Sequence, residues 1–155
     1  MEIIDCGPGI RVQIHFTHTF ERITLSSSPT FSLDCPPDQI APFKAWLTAY
    51  ALGGKGQDLP FSLPLPLPLL RGTFQGDVLR FLQTIPRGSV CSYQEVAKSV
   101  GSPRAARAVG NICRGNPFPL LIPCHRVIRS DGEIGRYTPD PSIKRQLLHF
   151  EGVTL

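Results

Sequence analysis

Hydrophobic and polar positions alternate near the start of the chain and take a helical spacing further on. The alternation includes Ile10, Val12, Ile14 and Phe16, which predicts a half-buried strand with residues 20–25 as its pairing partner. Between residues 37 and 50 apolar side chains recur three and four positions apart, so a helix is expected there. Prolines at 60, 64, 66 and 68 then predict an extended connector.

Helical signals dominate the part of the chain after this connector. Apolar residues within 78–82 share one face of a first helix. Ser92, followed three positions later by Glu95, is a capping-box pattern that predicts the start of a second helix. Ser102-Pro103 suits the start of a third helix, and Asp140-Pro141 suits the start of the last, because each pairs a capping side chain with a first-turn proline.

Two of these helices, joined by a tight turn, form a helix-turn-helix pattern. The second of the two carries small residues that let its backbone approach another surface closely, namely Ala105, Ala106, Ala108 and Gly110. That surface is either another helix or a DNA groove. Arg104, Arg107 and Arg114 favour DNA, because phosphates are bound by cations.

The densest chemistry lies around Cys124. The apolar run at residues 120–122 predicts buried extended chain, and Pro123 then turns the backbone so that Cys124, His125 and Arg126 follow at the edge of the core. A thiol near His and Arg is expected to ionise more easily than a free cysteine, and Glu151 is available to orient the imidazole. The alternative, a buried thiol beside a surface histidine, remains open on the residues alone.

Composition and charge narrow the class of protein. The formal net charge of +4 fits a polyanionic partner without requiring one. Five cysteines occur with no Cys-x-x-Cys pair, and the spacing of Cys6, His15 and His18 suits zinc poorly, so no metal site is predicted. No signal peptide or membrane-spanning stretch is recognised, so we expect an intracellular chain with no membrane partner.

The segment Ile-Pro-Cys-His-Arg-Val at 122–127, preceded by Arg-Gly-Asn-Pro, resembles the signature of O6-alkylguanine-DNA alkyltransferases. Arg107-Ala108-Val109-Gly110 looks like the intercalating-arginine segment of that family, and the similarity extends from about Thr73 to Gly152. The resemblance implies a small N-terminal α/β domain of ribonuclease H-like fold over 1–68. It also implies a mostly helical C-terminal domain with a winged helix-turn-helix over 69–155.

The resemblance also implies a role for each matching residue. Cys124 would accept the alkyl group, His125 would take its proton through a water, Glu151 would hold the imidazole, and Asn116 would support the turn before the cysteine. Tyr93 would donate to guanine N3, and Arg107 would fill the base stack. The remaining implied contacts are the helix residues Ala105, Ala106, Ala108, Gly110 and Arg114 toward DNA, and Val127, Gly135, Tyr137 and Thr138 around the base.

The function implied is DNA repair by irreversible, single-turnover transfer from O6-alkylguanine, without a cofactor. The expected partner is double-stranded DNA, and the expected form is a monomer located wherever the DNA is, in the cytoplasm, nucleoid or nucleus. Pro139-Asp140 replaces the usual Gly-Gly of the family and predicts a stiffer loop. The rival functions are a non-catalytic lesion-binding protein, a helix-turn-helix regulator and a Cys-His hydrolase.

Overall fold

The chain separates into two units, Met1–Leu65 and Pro66–Leu155. The computed structural model describes residues 2–5, 11–16, 23–25, 30–35, 40–52, 70–138 and 140–155. The predicted Pro-rich connector and the predicted boundary at 68/69 lie outside the described residues, as do Cys6, His18, Gly53-Gly54 and Pro139. None of the described helices is long and apolar enough to cross a membrane.

Among its described residues, the first unit contains a four-stranded sheet and one helix. The strands are β1 (Glu2–Asp5), β2 (Arg11–Phe16), β3 (Ile23–Leu25) and β4 (Thr30–Cys35), in the order β1-β2-β4-β3. The predicted strand around Val12 is confirmed as β2. Helix α1 (Ile40–Ala51) confirms the second prediction, and its buried residues include Leu47 and Tyr50.

The predicted pairing of residues 20–25 with β2 is wrong. Strand β3 pairs antiparallel with β4, while β4 lies parallel to β2 and separates the two. Strand β4 has six residues and matches all six of β2, whereas β3 offers three. The longer strand therefore provides the larger set of backbone hydrogen bonds to β2.

The second unit is mostly helical. Its helices are α2 (Phe74–Gln83), α3 (Tyr93–Ser99), α4 (Ala106–Arg114) and α5 (Pro141–Phe150). The capping box is confirmed at α3: Glu95 N donates to Ser92 Oγ at 3.1 Å, and Ser92 N donates to a Glu95 carboxylate oxygen at 2.7 Å. The cap of α5 is confirmed too, because Ser142 N donates to Asp140 Oδ1 at 2.8 Å.

The third predicted helix begins later than the sequence indicates. Ser102 does not cap α4, which starts at Ala106 and has no side-chain cap at Ala105. Instead, Ser102 N donates to Ala97 O at 2.8 Å and closes the end of α3, with Gly101 at φ +74°. This is the backbone arrangement of a helix C-terminus, so Ser102 belongs to the end of one helix rather than to the start of the next.

A short parallel pair of strands brings the two halves of the second unit together. Strand β5 (Cys91–Ser92) pairs with β6 (Val127–Ile128). Because β5 leads directly into α3 and β6 directly follows a 3-10 turn at Cys124–Arg126, the pairing sets Tyr93 close to the reactive segment.

The segment before Cys124 is buried, as predicted, but it is a turn rather than extended chain. Leu120, Leu121 and Ile122 are buried, and Ile122 N donates to Phe118 O at 2.8 Å. Leu120 has φ +72°, a left-handed conformation that costs a non-glycine residue ~1–2 kcal/mol. Periodicity did not reveal this turn because a short apolar run has the same appearance in both backbone conformations.

Candidate active site

Cys124 lies at the start of the 3-10 turn and is almost fully buried, with 3% of its surface exposed. Asn116 holds the segment in place from both ends. Its Nδ2 donates to Ile122 O at 2.7 Å and to Cys124 Sγ at 3.1 Å, and its Oδ1 accepts from Phe118 N at 3.0 Å. The turn therefore presents the sulfur in one orientation, as expected for a residue that supports it.

The expectation that Cys124 ionises more easily than a free thiol is wrong for the free protein. Burial raises the pKa of this thiol above its ordinary value, and the opposing effects of Asn116, Tyr137 and Lys144 only partly compensate. Arg126 is not among the stabilising groups, because its guanidinium is directed toward Glu151. Sequence adjacency had suggested a contact that the 3-10 turn does not make.

His125, Arg126 and Glu151 form a buried cluster at the end of α5. His125 Nε2 lies 2.9 Å from Glu151 Oε1, as the resemblance implied. Arg126 binds the same carboxylate through Nε and Nη2, both at 2.8 Å, and donates from Nη1 to Ile85 O at 2.6 Å. A guanidinium that binds both carboxylate oxygens fixes the orientation of the carboxylate, and the carboxylate in turn orients the imidazole.

The protonation states in this cluster follow from burial and charge. Burial alone pushes the pKa of Glu151 upward, but His125 and Arg126 together bring it well below its ordinary range, so the carboxyl is ionised. Burial also lowers the pKa of His125, so the imidazole is neutral near pH 7. Glu151 accepts the hydrogen on Nε2, which leaves Nδ1 as a lone pair. Within the described residues, Nδ1 is buried without a hydrogen-bond partner and is available to accept a proton.

Tyr93, which is half-buried, and the buried Lys144 form a second group. Lys144 is fully buried; its Nζ donates to Val127 O and, at 3.4 Å, to Tyr93 Oη. An ammonium group only donates, so the tyrosine oxygen must accept and its own hydrogen can point elsewhere. Burial, with the nearby thiols, raises the pKa of Tyr93 to about 12, so the hydroxyl keeps that hydrogen.

A cavity of about 360 Å³ lies beside these groups, within the ~300–1,000 Å³ usual for ligand sites. Its wall includes Tyr137, whose hydroxyl oxygen is 3.9 Å from Cys124 Sγ. Gly135 has φ +69°, a left-handed conformation that favours glycine, and its loop lies beside the Tyr93 ring. Seven predicted site residues line this cavity: Tyr93, Arg107, Gly110, Arg114, Gly135, Tyr137 and Thr138.

The other predicted residues lie elsewhere. Ala106 lines an adjoining cavity of about 510 Å³, together with Tyr93, Arg107 and Gly110. Ala105 and Ala108 line neither of the two cavities. Val127 is buried behind the site, and its carbonyl, expected to contact a base, accepts from Lys144. Arg104 precedes α4 rather than lying on it.

Sequence reasoning missed the roles of three residues. Arg129 and Arg136 line the cavity alongside the arginines of α4. The third residue is Lys144, for which the sequence offered one signal. It lies on the apolar face of α5 that includes Ile143, Leu147 and Leu148, and a lysine in such a position needs a buried partner.

Comparisons with known proteins agree with this geometry. Residues 73–153 match the family described as "6-O-methylguanine DNA methyltransferase, DNA binding domain". A "Methylated-DNA--protein-cysteine methyltransferase" of Rattus norvegicus is 39% identical, over 99% of this chain and 77% of the relative. One of the same name from Methanothermobacter thermautotrophicus is 53% identical, over 53% of this chain and 46% of the relative.

A solved structure extends the similarity over nearly the whole chain. It is titled "Crystal structure of Mycobacterium tuberculosis OGT in complex with DNA" and matches with a TM-score of 0.64 at 31% identity. The match covers 96% of this chain and 84% of that chain.

Proposed function

The chain belongs to the O6-methylguanine-DNA methyltransferase family, and we propose that Cys124 is the residue on which it accepts the alkyl group. It is a methylated-DNA–protein-cysteine methyltransferase that repairs DNA by alkyl transfer. The observation that carries the assignment of Cys124 is that its sulfur lies 3.9 Å from Tyr137 Oη on the cavity wall, while the next residue, His125, is a buried proton acceptor. His125 offers an unoccupied Nδ1 among the described residues, and Tyr137 joins the sulfur to the cavity wall.

The transfer is a displacement at the alkyl carbon. The Cys124 proton passes to His125 Nδ1 through a water, the sulfur–carbon bond forms, and the bond between that carbon and guanine O6 breaks. Tyr93 donates its hydrogen to guanine N3, so the base leaves neutral. The phenolate that remains lies beside the Lys144 ammonium and regains a proton from solvent, while the His125 imidazolium loses its extra proton to solvent. The geometry supports this role, because Lys144 occupies the acceptor side of the tyrosine oxygen. A thioether is stable to water, so each molecule acts once.

The buried thiol requires activation at the moment of reaction. Burial raises the pKa of Cys124, so in the free protein the unreactive thiol predominates. This protects the cysteine from other electrophiles until a base fills the cavity. His125 then provides the proton acceptor, while Asn116 and Lys144 favour the thiolate.

The base must leave the duplex to reach Cys124. Extrusion costs a few kcal/mol of stacking and pairing. Arg107 is exposed on α4 at the edge of the cavity that receives the base, and we assign it to the vacated space in the stack. Gly110 and Ala106 have small side chains, so the same face of α4 can approach DNA closely. Arg114 supplies a phosphate contact, while Gly135 and Thr138 complete the wall around the base.

The rival functions are not favoured. A non-catalytic lesion-binding protein needs no reactive cysteine with an oriented base, and a helix-turn-helix regulator needs no cavity beside a thiol. A Cys-His hydrolase shares the nucleophile, but it would release product repeatedly.

We also propose the domain folds, the oligomeric state and the DNA partner of the whole chain. Residues 1–68 form a small α/β domain of ribonuclease H-like fold, and residues 69–155 form the alkyl-acceptor domain with a winged helix-turn-helix. The protein acts as a monomer on double-stranded DNA, without a cofactor, in whichever compartment holds that DNA.

Intact-mass measurement tests the assignment directly. Mixing the protein with duplex DNA that contains O6-methylguanine should add one methyl group, about 14 Da, and peptide mapping should locate it on Cys124. Further lesion DNA should add nothing more. A folded sample whose mass does not change, or a methyl group on another cysteine, would contradict the proposal.

The test variant is Cys124→Ala, and its matched control is Cys91→Ala. Loss of the Cys124 sulfur should abolish transfer and preserve lesion binding, because the cavity wall is formed by other residues. Cys91 is a half-buried free cysteine in β5, so its replacement should leave one methyl group per chain.

A further inference from the structure

Four arginines surround the mouth of the 360 Å³ cavity, and they come from three separate segments. Arg107 and Arg114 lie on α4. Arg129 directly follows β6, and Arg136 lies in the loop between Gly135 and Tyr137. The sequence assigned only Arg104, Arg107 and Arg114 of its arginines to DNA. The other two stand on segments outside the helix-turn-helix, so they are open to a different role.

The side chain of Arg129 is held at the mouth by its own packing. Its Cγ and Cδ lie 3.3 and 3.6 Å from the point where a Cβ on Gly135 would sit, so the absence of that Cβ makes room for the arginine stem. Its guanidinium pairs with Asp131 at 2.6 Å, and the two side chains are 58% and 48% exposed. An ion pair this exposed contributes little to stability, so a phosphate can replace the carboxylate.

Asp131 would not lose its only partner in such an exchange. Its Oδ1 also accepts from Glu133 N at 3.1 Å, and the carboxylate remains in water. Arg129 is therefore pre-positioned by a partner that it can leave. Arg136 is exposed, and its two chain neighbours both line the cavity, which fixes its backbone at the mouth.

We infer that Arg129 and Arg136 form a clamp on the phosphates of the extruded nucleotide itself, an inference that rests on the proposed function. When a base enters the cavity, its sugar and flanking phosphates must stay at the mouth, because they are covalently joined to it. The stacked nucleotide keeps its phosphates along the duplex instead. Contacts made only after extrusion stabilise the extruded state relative to the stacked one.

The clamp predicts different behaviour on two DNAs. Each phosphate contact that is lost reduces the slope of log affinity against log salt by about 1. Loss of both arginines should reduce this slope by about two for duplex DNA with O6-methylguanine. It should change the slope for the same duplex with guanine by much less, because that base stays stacked.

The experiment measures fluorescence anisotropy of both duplexes between about 50 and 200 mM salt, with transfer blocked by Cys124→Ala in every protein. The test protein carries Arg129→Gln and Arg136→Gln. The matched control carries Arg145→Gln, which removes an exposed arginine on α5 that lines neither cavity. Thermal melting of each protein confirms that these surface substitutions leave the fold intact.

Selective loss on the lesion duplex, with both slopes unchanged in the control, supports the clamp. Equal loss on the two duplexes would overturn it in favour of general phosphate contacts, and so would an unchanged lesion slope or an equal loss in the control. The proposed function is read separately, as the methyl mass gained by the protein with Cys124 intact. The clamp requires extrusion of the base but not transfer, so absence of that mass alongside a selective slope change would reject transfer to Cys124 and retain the clamp.

Discussion

At the scale of single residues, Lys144 connects the two halves of the reaction. Its buried ammonium donates to Tyr93 Oη and Val127 O and favours the Cys124 thiolate electrostatically. Burial lowers its own pKa to about 8, against the opposing effect of the thiols, so it is still mostly charged near pH 7. The titratable groups that face it are Tyr93, Tyr137, Cys113, Cys124 and His125.

Lys144→Met should make Cys124 harder to ionise. Burial already raises the pKa of this thiol, and removal of the positive charge takes away one of the effects that oppose it. We expect the pH profile of Cys124 alkylation by iodoacetamide to move to higher pH, because the thiolate loses a nearby positive charge. Quantitative peptide mass spectrometry measures the profile.

The control for this prediction is Lys98→Met, an exposed lysine in the last turn of α3, which should leave the profile unchanged. Methionine occupies a buried lysine site without a charge to desolvate, so the variant should fold. An unshifted profile in folded Lys144→Met would mean that the lysine acts only through packing.

At the scale of elements, the site depends on where helices begin and end. The capping box at Ser92 sets the first turn of α3, and Tyr93 is the first residue of that helix. The end of α5 sets Glu151, which forms the C-cap. Catalytic side chains at helix ends are positioned by the caps themselves, so a capping substitution should reach the chemistry as well as the stability.

Ser92→Ala and Thr73→Ala make this testable, because both remove an N-cap side chain. Thr73 caps α2 by accepting from Gly76 N at 3.1 Å and does not line the cavity. Each substitution should lower the free energy of unfolding by ~1 kcal/mol. For a unit of the size of Pro66–Leu155, this lowers the melting temperature by ~4–8 °C. The single-turnover rate of methyl transfer should fall for Ser92→Ala alone. A rate that falls equally in both would attribute the loss to general destabilisation.

At the scale of the whole molecule, the buried charges link the stability of the second unit to pH. Glu151 has its pKa held below the ordinary 4.5 by His125 and Arg126, although burial opposes this. A carboxyl with a lowered pKa stabilises the fold above its unfolded pKa, and that stability is lost as the pH falls toward the folded value. Burial lowers the pKa of His125 from 6.5, so its contribution to stability is also lost as the pH falls, beginning at a higher pH than that of Glu151.

Over the acidic range below pH 7, the free energy of unfolding should therefore decrease as the pH falls, first below about 6.5 and more steeply below about 4.5. Urea unfolding of the intact chain at several pH values measures this dependence. Glu151→Gln should be less stable than the unsubstituted protein at pH 7, and its free energy of unfolding should decrease less steeply at acidic pH. Glu133→Gln, at an exposed position, should follow the unsubstituted protein. A Glu151→Gln profile parallel to the unsubstituted one would show that the cluster is not the source.

The sequence by itself determined the elements with local causes. The capping box at Ser92, the cap at Asp140 and the apolar face of α2 depend on residues a few positions apart, so their signals are complete within one window. The order and spacing of the signature around Cys124 likewise identified the family, which the comparisons confirm.

Only the tertiary structure decided the features that join distant segments. Strand β4 lies between β3 and β2, a choice among pairings that no local pattern expresses. Ser102 closes α3 through its amide rather than opening α4, which begins four residues later at Ala106. Burial raises the pKa of Cys124, and that burial depends on every segment packed around the sulfur. The positions of Lys144 near the thiol and of Arg129 and Arg136 at the cavity likewise depend on how separate segments pack. Charge and burial act through space, so pKa shifts that depend on them are not predictable from the order of residues alone.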